Sequence, residues 1–194
     1  MKSVITATVG LAILSHAIHG CKNQSSDPKP RPSKKLEKTP SEQIEALVGK
    51  TFWALGSGDS EASLSTWPTE DAFNSAWNCP GTDTELQSRF NGNRENAVNE
   101  PKKFEELGLR VSDWSLIPTP IETRIIKIGE SHQGCTAKVN IDVRQHRVEM
   151  TLTGENGKTP PEMREELEKT KSISQTWSFA RLGEGSDWLW FEVR

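Results

Sequence analysis

The sequence predicts an α+β protein in which N-terminal helices pack on a curved antiparallel sheet. Three observations carry this. Apolar residues recur at helical spacing up to about residue 108 and at strand spacing beyond it. Helical and strand segments are largely segregated along the chain, as a helix layer on an antiparallel sheet requires. The apolar parity of one strand run also reverses midway, which implies a bent strand.

The first helix is marked by Thr39-Pro40-Ser41-Glu42, with a hydroxyl at the N-cap, proline at N1 and glutamate at N3. Ile44, Leu47, Val48, Phe52 and Leu55 then form one apolar face, and Gly56-Ser57-Gly58 ends it. Asp59 caps a short second helix running through Leu64, and Trp67-Pro68 breaks it. Thr69-Glu70-Asp71 opens another turn, which carries Phe73, Ala76 and Trp77 into Cys79-Pro80-Gly81. A short helix is expected over 83–90. The polar "NGNRENAVNE" reads as a loop, and "PKKFEELG" as a helix started by Pro101 and stopped by Gly108.

Six strand runs follow: "RVSDWSLIP", "TRIIKIG", "CTAKVNIDV", "VEMTLTG", "SISQTWSFARL" and "DWLWFEVR". Val139, Ile141 and Val143 are apolar at odd positions, and Val148, Met150 and Leu152 at even ones. The reversal falls at "RQHR", which has none of the residues tight hairpins favour. A β-bulge in one long strand is therefore expected at 144–147. A second capping box, Thr159-Pro160-Pro161-Glu162, is expected to start a charged, solvated helix to about Thr170 with only Met163 and Leu167 on its inner stripe.

The N-terminus is read separately. Met1-Lys2 precedes an uncharged apolar stretch of about fifteen residues, too short to span a bilayer and suited to an export signal. The stretch ends Ile18-His19-Gly20-Cys21, which resembles the lipobox of bacterial lipoproteins, with His19 departing from the usual small or aliphatic residue. The resemblance implies signal cleavage after residue 20 and acylation of Cys21. Lys22, in place of an aspartate, implies the outer membrane if the cell is Gram-negative. Two or three acyl chains hold a protein durably where one binds only reversibly. Lipidation also leaves Cys79 and Cys135 as an even pair, expected to be bonded in an oxidising compartment.

Residues 21–40 form the tether, expected to be disordered, with four prolines and one aliphatic residue in 22–40. Its charge over 22–40 is +4, and that of 41–194 is −8. Cations near anionic headgroups favour membrane contact. An acidic body lacks the basic footprint that nucleic acid requires, so no nucleic-acid partner is expected. The 154 residues from Ser41 onward suit one domain.

Two segments, "VGKTFWALGSGDSEASLSTWP" and "WSFARLGEGSDWLWFEVR", resemble the first helices and the terminal hairpin of the NTF2-like (SnoaL-like, ketosteroid-isomerase-like) superfamily. The resemblance spans roughly 41–194 and implies a cone whose sheet wraps around a pocket. The helix at 160–170 departs from that pattern. Members include enzymes and simple binders, so function must be argued from the site.

The catalytic inventory is thin. The chain has no tyrosine, so an oxyanion hole of Tyr and protonated Asp cannot be built in its usual form. His132 is expected to be exposed in a turn. His146 alternates with Asp142 and Arg144, and with Asp142 or Glu149 it could serve an isomerase- or dehydratase-type reaction as general base. No nucleophile elbow, metal-ligand spacing, P-loop or calcium loop occurs, and neither cofactor nor metal is expected. Trp53, Trp177 and Trp190 are assigned to the core, and Trp67, Trp77, Trp114 and His146 to a possible pocket lining. The favoured function is a membrane-anchored, non-catalytic module that binds an unknown ligand or envelope protein. The alternatives are the enzyme just described or a structural subunit of an envelope complex, which would expose an apolar patch on the sheet.

Overall fold

The computed structural model describes residues 38–191. Cys21, the signal and all but the last residues of the tether therefore lie outside the described residues. The fold is α+β, with helices followed by a strongly curled antiparallel sheet that forms a half-barrel.

Helix α1 (Pro40–Ser57) begins as the local chemistry dictates. The Thr39 hydroxyl accepts from Glu42 N–H, while the Glu42 carboxylate accepts from Thr39 N–H at 2.6 Å. These hydrogen bonds favour the charged carboxylate and hold the Glu42 pKa below its ordinary value. Gly58 closes the helix at φ +70°, a left-handed position that suits glycine. Asp59 caps α2 (Ser60–Leu64), and Thr69 caps α3 (Glu70–Ala76).

Helix α4 corrects the sequence reading. It runs unbroken from Glu85 to Glu106, straight through the segment expected to be a loop. Its buried residues, Leu86, Phe90, Ala97 and Pro101, are few but recur at helical spacing. Pro101 lies inside the helix rather than starting one, although proline forfeits a hydrogen bond there. Packing on α1 and α2 outweighs that local cost.

The large sheet has the order β2 (Leu109–Leu116), β6 (Ile141–Gly154), β7 (Ile173–Leu182), β8 (Trp188–Trp190). Strand β3 (Glu122–Ile126) pairs with the β6 edge that also takes β2. A small sheet has the order β1 (Trp77–Asn78), β5 (Cys135–Ala137), β4 (Ser131–His132). The run "CTAKVNIDV" is thus not one strand. It breaks between Ala137 and Ile141 and serves both sheets.

The expected bulge at 144–147 is also corrected. β6 is one long strand, and its register with β7 is unbroken from Ile141↔Leu182 to Met150↔Ile173. The irregularity lies in the neighbouring chain. Ile117 N–H bonds Arg147 O and Ile121 N–H bonds Gln145 O, so residues 117–121 loop out opposite His146. The change of buried parity reflects coverage instead. Ile141 and Val143 join a cluster with Phe73, Trp77 and Phe90, whereas Val148 and Met150 join one with Ile44, Val48 and Phe52. Each end of the strand buries a different face, and twist reconciles them.

Helix α5 (Pro161–Lys169) connects β6 to β7 and buries no residue, as expected of a solvated connection. It has no capping box, however. Thr159 is buried and its hydroxyl donates to Leu107 O at 2.6 Å, tying this loop to the end of α4.

Candidate functional site

The residues singled out from the sequence fall into three places. The first is the β6 face around His146. The side chain is fully buried, and its Nδ1–H donates to the Ile117 carbonyl at 3.0 Å. That carbonyl belongs to the segment that loops out of the strand run, so the imidazole satisfies a backbone group near the excursion. Asp142 does share the strand face with His146, but it is paired with Arg181 on β7, whose Nε lies 3.1 Å away. Arg144, between them, lies over the Trp188 ring at 5.2 Å. Glu149 lies on the opposite parity of the strand. The described geometry therefore engages the histidine and the aspartate separately, and assembles no His–carboxylate dyad.

The tryptophans occupy several settings, and Trp53 alone of those assigned to the core departs from it. Trp77 is buried in the core with Phe73 and Phe191, because β1 lays it between the helices and the sheet, and it also lines a cleft beside the disulfide. Trp67 and Trp114 are half-buried and pack against the other core cluster, Trp67 stacking on Trp190 at 6.1 Å and Trp114 tilting against Phe52 at 5.7 Å. Trp190 is core as expected, its indole N–H donating to Thr51 at 2.6 Å, and Trp177 packs beside it. Trp53 is not core. It is 61% exposed, since Ile44, Val48 and Phe52 already fill the inward face of α1.

The second place is the Cys79–Cys135 region. The two are bonded, with α-carbons 4.3 Å apart, on the rung next to the Asn78↔Thr136 pair. The bond therefore staples the end of the helical layer to the small sheet. The β4–β5 turn places Gln133 at φ 47° and Gly134 at φ 84°, and the Gln133 carbonyl accepts from Leu86 N–H in the first turn of α4. Glycine is required at 134 by both its φ and the Thr84 side chain 3.2 Å from where a Cβ would stand. His132, in this hairpin, is half-buried rather than exposed, with its ring centroid 6.0 Å from that of Trp77. Burial lowers its pKa, and the nearby Arg124 charge lowers it further. Beside the disulfide opens a cleft of about 540 Å³ lined by Asn74, Trp77, Asn78, Gln87, Asn91 and Lys138. A second cleft of about 370 Å³ lies between β6 and α5 around Arg164 and Lys171. His146 lines neither.

The third place was missed in the sequence. Ile117, Ile121, Ile125 and Ile128 are 40%, 54%, 54% and 64% exposed; Ile125 lies in β3, Ile121 and Ile128 lie within two residues of its ends, and Ile117 directly follows β2. Among the described strands β3 pairs only with β6, so its other edge carries free backbone groups. The signal was present in "TRIIKIG": on a strand, adjacent Ile125 and Ile126 must face opposite ways, and only Ile126 is buried.

Among the described residues, no group of three or more His, Cys, Asp or Glu side chains is placed to hold a metal ion. No described helix is long and apolar enough to cross a membrane. A scan against protein-family models finds no match, and a search of curated proteins finds no relative.

Proposed function

We propose that this chain is an exported lipoprotein, anchored in the cell envelope by acylated Cys21, that carries a non-catalytic protein-binding module of the NTF2-like kind. The lipobox-like Ile18-His19-Gly20-Cys21 supports the anchor, and the +4 tether supports contact with anionic headgroups. One observation carries the binding reading: an open sheet edge has three exposed isoleucines, Ile121, Ile125 and Ile128, in or next to it, while His146 and Asp142 are each engaged elsewhere. An unpaired strand edge supplies backbone hydrogen bonds to a docking segment, and exposed apolar side chains along it add burial. The same edge would serve a structural subunit of an envelope complex.

The anchor is tested in a bacterial host. The protein should partition into detergent with a mass addition on Cys21, and Cys21→Ser should leave it soluble or unprocessed. Recovery of the wild type as a soluble periplasmic protein cut elsewhere overturns the anchor. The edge is tested by crosslinking in native membranes, where Ile125→Asp should abolish adducts that Trp53→Asp, a remote exposed position, leaves intact.

A further inference from the structure

We infer that the occupant of the β3 edge is a second copy of this chain, joined in a continuous antiparallel sheet with Thr123 on the two-fold axis. The inference rests on the binding reading above and deepens it. Residues 121–125 are all exposed, and their run is bracketed by Pro118 and Pro120 on one side and Lys127 on the other. Those residues discourage pairing, so the open edge is confined to about Ile121–Ile126. Gln145 O accepts from Ile121 N–H, so the odd residues of β6 turn their backbone groups to β3. Their partners Glu122, Arg124 and Ile126 turn their backbone groups to β6, and those of Thr123 and Ile125 turn toward the open side.

Side-chain chemistry then selects the register. Two copies of one strand pair antiparallel about an axis that passes through a residue, because directly opposed side chains share a face. With Thr123 on the axis, Glu122 faces Arg124 of the second copy and Arg124 faces Glu122. Ile121 faces Ile125, and Ile125 faces Ile121. Every opposed pair is thus charge-matched, apolar-matched or Thr on Thr, the pairings that stabilise sheets. Moving the axis one residue either way sets Glu122 on Glu122 or Arg124 on Arg124, which is repulsive. Arg124 is already steadied by Glu130 at 2.5 Å on its own copy.

The start of α1 agrees with this geometry. The Ser41 hydroxyl donates to Pro118 O at 3.3 Å, so α1 begins beside the same edge. A two-fold axis normal to the sheet leaves the α1 N-termini of the two copies at one height along the axis. Both copies can then be anchored in a single bilayer leaflet. Shared anchoring raises the effective concentration of one copy for the other, as linked binding modules do.

The test uses the full-length acylated protein in its membrane. Thr123→Cys supplies one added thiol, since Cys79 and Cys135 are bonded. Under a mild oxidant it should convert most of the protein to a disulfide-linked dimer, whereas Lys127→Cys, displaced from the axis, should not. Glu122→Arg and Arg124→Glu should each lower dimer yield roughly tenfold by opposing like charges, and the double exchange should restore it. Circular dichroism of each variant confirms folding. Failure of Thr123→Cys to link, or failure of the exchange to rescue, overturns the dimer. If the edge instead crosslinks to a different envelope protein in an Ile125-dependent way, the dimer falls and the binding reading stands.

Discussion

The two core clusters are held in different ways. The one around Phe73, Trp77 and Ile141 joins helices α3 and α4 to the small sheet and to one end of the large one, and Cys135 of the disulfide is a buried member of it. The one around Phe52, Phe179 and Trp190 contains no cysteine and relies on dense aromatic contact, with Trp177, Phe179, Phe52 and Trp114 ring centroids 4.1–5.7 Å from a neighbour. The difference follows strand length. β6 and β7 pair over ten residues, so their register is secured by many backbone bonds and cross-strand contacts. β1 pairs over two residues, too few to hold itself. A covalent closure supplies what pairing cannot.

The contrast can be broken at either end. The largest effect is expected from Trp190→Ala. It removes a buried ring and the hydrogen bond that its indole N–H donates to the Thr51 hydroxyl, so unfolding in denaturant should show a loss of about 3–5 kcal/mol. A loss under about 1 kcal/mol would mean that the aromatic cluster is not what secures this end.

Removing the disulfide comes next. Its sequence separation of 56 corresponds to about 4 kcal/mol in the chain-entropy model, and native-state strain reduces such values. Reduction should lower the melting temperature by several degrees. Hydrogen exchange should locate the effect, with amides of β1, β5 and the start of α4 losing protection while those of β6 and β7 keep it. Uniform loss across both sheets would show one cooperative unit and erase the distinction.

The smallest effect concerns His132, on the stapled side. Its pKa is lowered in the folded protein, first by burial and then by Arg124. The folded state therefore holds fewer protons than the unfolded one just below the ordinary histidine pKa. Stability from this group is full above about pH 6.5 and falls as the pH drops below it. Between about pH 7.5 and 5.5 the melting temperature should fall by about 2 °C or less, with His132→Gln flattening the slope. Carboxylates such as Glu42 and Glu130, whose pKa values are also lowered, titrate below that window.

What the sequence made legible was what local chemistry decides. The Thr39–Glu42 capping box, the Asp59 and Thr69 caps and the strand periodicity are each settled within a few residues. The cysteine pair was legible from parity and its expected compartment. Helix α4 was not, because Asn91–Asn99 have no strong local preference for helix and fold that way by resting a sparse stripe on α1 and α2. Thr159 shows the same limit: its spacing to Glu162 suits a cap, yet a distant carbonyl claims its hydroxyl. The fate of Trp53 turned on which helix face the tertiary structure covered. The isoleucine edge was hidden because a strand pattern says that residues alternate, not which partner strand is missing.

The aromatic cluster has an optical consequence. The chain contains seven tryptophans and no tyrosine, and the Trp177 and Trp190 rings meet edge-on with centroids 4.1 Å apart. Two indole transition dipoles that lie close and inclined couple as an exciton pair, splitting their far-ultraviolet bands into components of opposite sign. That couplet is superimposed on the helical signal, so helix content read from a circular dichroism spectrum of this protein is biased. The same couplet reports on one contact between β7 and β8, and Trp177→Phe would remove it while leaving the backbone signal in place.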